Sequence, residues 1–432
     1  MKNLKYASNN DPDKLIAIGV NQGDAFFLKK HGLRIQVDGG GRKNFDQIFR
    51  IATGEKSVDY LICTHNDSDH SNGILSFLRS DLKCKEVWLP AIWLLKLEDL
   101  LCNPNLFLSE LSEEVNKFCQ GEYSRTWRIS LSSFLSEFYQ QNKVKIVRKL
   151  CAGDADADTD TRSGMNDTAS RNDETELKRY VSYLVATERV NEYFSQSNSL
   201  RKEVSKIKDE LESKNSDEVF SICVESKVYF EYTKNSFVLL ERSVTPINNL
   251  VKIVKAASSK QGIDRIRFFL YDEQKAFGGK VGILEPLNSY ETSNISRIRQ
   301  VGKTFSALEF LALTVVNEQS LVFRSPSSSS SKEAIFFADS DFNIENRIFW
   351  EDGMIATAPH HGSKSNNGPY NLWEIEGRKR VIWLMTYHCS TENKTHPFLQ
   401  SRDQEVCCTK QHKGVNAKDI VFVAENRDWK EK

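Results

Sequence analysis

The 432-residue chain has no long apolar run, no net charge and no paired cysteine spacing, and each absence removes a class of function. No stretch approaches the roughly 20 apolar residues needed to cross a bilayer. The start, Met1 to Lys14, is polar and lacks the apolar core of a signal peptide, so a soluble cytoplasmic protein without a membrane segment is expected. Lys and Arg together number 59 and are matched by 59 Asp and Glu, which excludes a broad basic field for gripping many phosphates. The nine cysteines are scattered, odd in number and free of any C-x-x-C pair. That argues against a disulfide framework and against a cysteine zinc knuckle. A phosphate loop of the G-x-x-x-x-G-K type and a G-x-S-x-G nucleophile turn are also missing. Asp154-Ala155-Asp156-Ala157-Asp158 opens like a calcium loop, but Thr159 stands where glycine is needed and no glutamate closes it.

Three zones differ in texture. From about Leu15 to Pro90, β-branched runs alternate with glycine turns. Strands are expected at Leu15 to Val20, Ala25 to Leu28, Leu33 to Val37 and Val58 to Cys63, with a helix from about Asn44 to Thr53. The middle, residues 91–280, reads as a mostly helical insertion or accessory region, with a helix over Leu177 to Leu211 and a mobile acidic loop over Gly153 to Glu176. The charge alternation over Lys202 to Lys214 reads as a solvated helix face, with a protein partner as the sharper alternative. From residue 281 strands return: Ser320 to Arg324, Ala334 to Ala338, Met354 to Ala358, Val381 to Met385 and Asp419 to Ala424. The run Ser325 to Ser331 reads as a flexible surface hairpin loop. The expected domain plan is thus 1–90 and 281–432 as two halves of one α/β domain, divided by 91–280.

Histidine is distributed unevenly. None of the eight lies between His70 and His360. Directly after the apolar strand Tyr60 to Cys63 comes Thr64-His65-Asn66-Asp67-Ser68-Asp69-His70, which packs four potential metal ligands into six residues at a strand mouth. Mixed imidazole and carboxylate donors suit zinc, manganese or iron, and two neighbouring metals need about this density. The plain alternative is a polar turn before a helix starting near Ser71, with Asp69 as its cap. It does not account for two flanking histidines. Pro359-His360-His361-Gly362-Ser363-Lys364-Ser365 likewise follows an apolar strand, and adjacent histidines point apart, so one ligates while the other orients or binds substrate. Asp339, ending Phe336-Phe337-Ala338, is a candidate bridge between metals. Asp38, in Val37-Asp38-Gly39-Gly40, is either a turn residue or an orienter of a ligand. His31 and His412 look incidental, and His388 is undecided.

These pieces occur in the order of the metallo-β-lactamase superfamily. Gly19-Val20-Asn21-Gln22-Gly23-Asp24-Ala25, Val37-Asp38-Gly39-Gly40, His65 to His70, Ala338-Asp339 and Pro359 to Lys364 most resemble the hydrolase domain of ComEC-type competence (DNA-uptake) proteins. Asn317-Glu318-Gln319-Ser320-Leu321-Val322 and Thr395-His396-Pro397 resemble the same group. The likeness covers roughly the first 90 and last 150 residues. It implies an αββα sandwich and two divalent ions, Zn2+ or Mn2+. In that pattern His65 and Asp67 bind one metal. Asp69, His70 and one of His360 or His361 bind the other, and Asp339 bridges. The resemblance further implies attack by a metal-bridged hydroxide, proton steering by Asp69, and charge compensation at the substrate by Lys364 and His396. The sequence departs from the superfamily at Asp67, where histidine is usual, and in lacking a third metal histidine, near whose place Asn317 stands. A more oxygen-rich shell favours manganese or magnesium over zinc. Gly19 and Asn21 also depart from the usual Asp and Gly.

The resemblance implies a metal-dependent phosphodiesterase or nuclease acting on a nucleic acid or nucleotide. Two other readings compete. One is a small-molecule ester, lactone or amide hydrolase. The other is an interaction subunit whose metal site is regulated by a protein docking on the middle region.

Overall fold

The computed structural model describes residues 11–102, 171–186, 188–191, 193–195, 220–224, 228–232, 234–295, 320–342, 344, 347–364, 366–375, 379–386, 396–400, 405–409 and 417–432. The chain is α/β with mixed sheets and divides into two compact units. The first takes Met1–Ala91, Lys255–Thr292 and Asn317–Lys432; the second takes Ile92–Val254 and Ser293–Val316.

In the first unit, β1 (Lys14–Ala17), β2 (Phe26–Lys30) and β3 (Leu33–Val37) form an antiparallel meander. Helix α1 (Phe45–Thr53), β4 (Ser57–Ile62), α2 (Ser68–Arg79) and β5 (Lys83–Pro90) continue it as a parallel layer. In the second unit, α3 (Ile92–Cys102) and α4 (Arg171–Leu184) are joined by the hydrogen bond from Tyr180 Oη to Glu98 Oε2, 3.1 Å. The strands β6 (Phe220–Val224) and β7 (Val228–Tyr232) form a separate antiparallel pair, followed by α5 (Lys234–Ser259), whose residues from Lys255 on count with the first unit. The first unit resumes with β8 (Arg265–Tyr271), β9 (Glu285–Pro286) and β10 (Ser289–Thr292), then β11 (Phe323–Ser325), β12 (Ala334–Phe336) and β13 (Ile355–Thr357). It ends with α6 (Gly368–Ile375), β14 (Ile382–Met385), β15 (Glu405–Cys408), β16 (Ile420–Glu425) and β17 (Asp428–Glu431).

The larger sheet has nine strands in the order β10-β8-β5-β4-β3-β2-β1-β16-β17, and the second has six, β15-β14-β13-β12-β11-β9. Period-2 alternation assigns their faces. Phe26, Leu28, Ile35, Val37, Tyr60 and Ile62 of the first sheet share one buried core with Phe323, Phe336, Ile355 and Leu384 of the second. The intervening residues Ile335, Ala356 and Trp383 enter a second core with Tyr370 and Trp373 of α6. Phe27 points the other way and meets Phe49 of α1, which in turn meets Phe77 of α2. Helices therefore cover both outer faces of a two-sheet stack. Strands buried on both sides read as continuous apolar runs, which is why the sequence made them visible.

Five expectations need correction. The acidic loop does not extend to Glu176, because α4 already begins at Arg171; the part before 171 lies outside the described residues. Helix α2 begins at Ser68 rather than near Ser71, so Asp69 and His70 stand in its first turn. The helix expected over Leu177 to Leu211 is shorter, since α4 ends at Leu184. The middle region, read as mostly helical, also holds the β6–β7 pair and β8, which pairs parallel with β5 in the large sheet. The serine run is a hairpin between β11 and β12, but not a loose one. Ser325 and Ser331 are buried, and the Ser330 and Ser331 hydroxyls donate to Asp13. Among the described residues no helix is long and apolar enough to cross a membrane.

Candidate metal centre

The site is assembled at the C-terminal ends of β3, β4, β12 and β13, all within the first unit. His65 and Asp67 sit on the loop leaving β4, and Asp69 and His70 follow in the first turn of α2. Asp339 comes three residues after β12 ends, and His360 and His361 form a tight turn after β13. Four non-glycine residues here take a positive φ: Asp38 (54°), Ala338 (50°), His360 (48°) and His361 (55°). Such backbone is costly unless its surroundings hold it, and it gathers at functional sites. Gly23 (φ 89°) packs so tightly on α2 that an added Cβ would lie 1.5 Å from the Asp69 carbonyl oxygen. The turn after β1 is thereby fixed against the ligand loop.

The donors converge on Asp339, which is buried at 1% exposure. One of its carboxylate oxygens, Oδ1, is 3.1 Å from His70 Nε2 and 3.7 Å from His361 Nε2; the other, Oδ2, is 3.5 Å from His65 Nε2 and 3.8 Å from His360 Nε2. His361 Nε2 also lies 3.3 Å from Asp69 Oδ2. The Nε2 atoms of His65, His70 and His361 are buried yet form no aligned hydrogen bond. The acceptors facing them are the Asp339 and Asp69 carboxylates at 3.1 to 3.7 Å, so imidazole and carboxylate donors are gathered as a cation site needs them. Two donor groups have metal-ligand spacing around this point: Asp24, His70, Asp339 and His361, and His65, Asp67 and Asp339. These buried groups can hold a metal ion. His65, Asp67, Asp69, His70, Asp339, His360 and His361 are thus brought together as the sequence proposed. His361 is the buried member of the histidine pair, with its side chain 12% exposed against 37% for His360.

The electrostatics follow from this crowding. Burial works against the charged form of His70, but Asp339 and Asp38 outweigh it and hold the ring well above the usual histidine range. Burial likewise opposes a charged His361, and Asp24 and Asp339 overcome it. Asp339 itself is held well below the carboxylate range, because His70, His360 and His361 more than offset its burial. Burial also opposes ionisation of Asp69, but His361 and His70 keep it low. Asp67 goes the other way. Its burial, with Asp69 and Asp339 close by, lifts it to about 6. Protons on the two histidines thus balance the carboxylates, and a metal ion would replace them.

The sequence missed several groups behind the donors. Asp38 was left open between a turn and an orienting role; its Oδ2 lies 2.9 Å from His70 Nδ1. The Thr64 hydroxyl donates to the same oxygen at 2.7 Å and lies 3.0 Å from His65 Nδ1. On the opposite side Asp24 Oδ1 accepts from Thr386 Oγ1 and meets His361 Nδ1 at 2.9 Å. Asn366 Oδ1 is 3.1 Å from His360 Nδ1. Asp24 lay within a motif quoted for family resemblance, but its role had no local signal, since its partners are more than 330 residues away.

His396 is tied to the histidine turn by its backbone N–H, which donates to Gly362 O at 2.8 Å. Its ring stacks on Tyr370 with centroids 4.4 Å apart. The Phe398 N–H donates to Nδ1, so the ring donates from Nε2 to Asn367 Oδ1 at 2.6 Å. Burial, helped by the positive charge of Lys364, lowers its pKa and keeps it neutral at pH 7. Lys364 is exposed beside it. His31 occupies the turn between β2 and β3. Asn317, His388, Thr395 and His412 lie outside the described residues. Compared with known families and with curated proteins, the chain matches no family model and no curated protein.

Proposed function

We propose that the chain is a metal-dependent hydrolase of the metallo-β-lactamase type that cleaves phosphodiesters in nucleic acid or nucleotides with two divalent ions, zinc or manganese. The observation that carries this reading is the convergence of His65, His70 and His361 on Asp339 from segments about 270 residues apart, with their inward nitrogens making no hydrogen bond. The motif order of the ComEC-type hydrolase domains and the helix-covered pair of sheets agree with it.

His70, His361, Asp69 and Asp339 would hold one ion, and His65, Asp67 and Asp339 the other, with His360 at the edge. Bound there, the metals would supply Lewis acidity and lower the pKa of water. The protein's own residues do the rest. Asp38 and Asp24 hold the histidine rings so that Nε2 faces inward. Lys364, exposed beside the histidine turn, attracts the anionic phosphate group. His396 offers a neutral Nε2–H that leaves Asn367 to donate to a substrate oxygen.

The test is metal content of the purified protein together with turnover of bis-(p-nitrophenyl) phosphate with manganese, zinc or magnesium. Bound metal and metal-stimulated cleavage, lost in Asp69→Ala, are expected. Full activity in metal-replete Asp69→Ala would overturn the mechanism, and cleavage of an ester or lactone instead would move the substrate class.

A further inference from the structure

The four histidines of the centre differ in what stands behind them. His70 Nδ1 meets a carboxylate, Asp38 Oδ2, at 2.9 Å, and His361 Nδ1 meets another, Asp24 Oδ1, also at 2.9 Å. Both carboxylates are buried, at 1% exposure each. Each is also fixed by a threonine, Thr64 on Asp38 and Thr386 on Asp24. The Thr386 position is locked further, because its carbonyl accepts from the Thr409 hydroxyl. His65 and His360 have neutral partners instead. His65 Nδ1 lies 3.0 Å from the Thr64 hydroxyl oxygen, and His360 Nδ1 lies 3.1 Å from the Asn366 amide oxygen. A carboxylate behind an imidazole raises its basicity and fixes its tautomer, whereas a hydroxyl or amide does so weakly.

The His70, His65 and His361 side chains are 0%, 7% and 12% exposed, and only that of His360, at 37%, reaches well into solvent.

We infer that the two halves of the centre are unequal: the His70–His361 half, backed by Asp38 and Asp24, takes up the first metal ion, and the His65–Asp67 half loads second and more weakly. This rests on the metal-site reading above. Asp24 and Thr386 are then positioning residues, acting on the first ion through His361. Asn366 acts on the second through His360. Asp38 serves both halves, His70 directly and His65 through the Thr64 hydroxyl, which donates to Asp38 and so accepts from His65.

The experiment titrates metal-free full-length protein with Zn2+ and with Mn2+ by calorimetry, with native mass spectrometry counting ions at each step. Two separate steps are expected, the first tighter. Asp24→Asn should weaken the first step about 10- to 100-fold, and Asn366→Ala, which also removes the bond to the Asp339 carbonyl, should weaken the second step more than the first. Two equivalent sites, or a first step untouched by Asp24→Asn in protein whose circular dichroism and melting are unchanged, would overturn the inference while leaving the metal reading intact. No binding of either ion would overturn both. Should Asp24→Asn fail to fold, the wild-type steps and Asn366→Ala still decide the order.

Discussion

Lys30 and Asp339 are both buried charged groups of the same unit, yet their surroundings close in opposite ways. Around Lys30 most polar groups turn towards another group of the protein, although Glu333 Oε1 is buried without a hydrogen bond. Its ammonium donates to Pro326 O, and Asp13 accepts from His31 N–H, Ser330 and Ser331. Glu351 accepts from Glu333 N–H and Ser327. Around Asp339 the outer nitrogens have hydrogen-bond partners, whereas the inner ones of His65, His70 and His361 face carboxylates without an aligned hydrogen bond. Burying charge costs stability unless pairing compensates it. The first cluster is partly compensated, and its bonds tie the β11–β12 hairpin to Asp13. In the second, three ring nitrogens face the Asp339 and Asp69 carboxylates at 3.1 to 3.7 Å, a set of buried donors that could hold a cation.

Substitutions in the two clusters should therefore act on different properties. The largest effect is expected at the centre of the second cluster. Asp339→Ala should lower metal affinity more than 100-fold at whichever half is read, exceeding the loss typical of an outer partner. Unchanged metal content would end the comparison. In the Lys30 cluster the effect falls on stability instead. Lys30→Met leaves Asp13 and Glu333 without their buried cation and should cost about 3 kcal/mol in urea unfolding, with metal binding unaltered.

The pH dependence of the same cluster has a definite sign. Burial, with Glu351 nearby, raises Glu333 from 4.5 to about 7 despite the opposing charges of Arg324 and Lys30. A raised carboxyl pKa favours the protonated form in the fold. Its contribution is therefore complete below pH 4.5 and is lost as pH rises to 7. Glu333→Gln should accordingly gain on the parent by roughly 2–3 kcal/mol between those limits, measured as the difference of two unfolding curves. A constant difference across that range would contradict the burial of this group. Lys30 runs in the other direction. Burial lowers it to about 8 although Asp13 and Glu333 oppose this, so its cost is present below pH 8 and fades above it. The smallest effect is expected from Ser331→Ala, about 1 kcal/mol, since Asp13 keeps two other donors.

Much of the centre was legible along the chain because its parts are local. His65, Asp67, Asp69 and His70 are consecutive enough to be read as one ligand loop, and the apolar run before them marks the strand that ends there. The His360–His361 pair carries its own glycine and follows a second such strand. The choice within that pair was not legible. It depends on Asp24, which arrives from the other end of the chain to meet His361 but not His360. The serine run misled for a related reason: composition says flexible, while two of its hydroxyls are consumed by Asp13, more than 300 residues earlier. The acidic stretch misled at its end, where Arg171 to Glu176 joins the helix carrying Tyr180.

Periodicity and neighbouring residues were enough to read the α/β alternation and the two histidine-bearing motifs along the chain. Packing set the rest: β8 joins β5, Asp339 sits among four histidines, and Asp38 and Asp24 stand behind different rings. Asp24 and His361 meet across 337 residues of chain, and even Asp38 and His70 across 32. Such meetings leave no periodic or local trace, because the backbone geometry that produces them is set by the packing of two whole sheets.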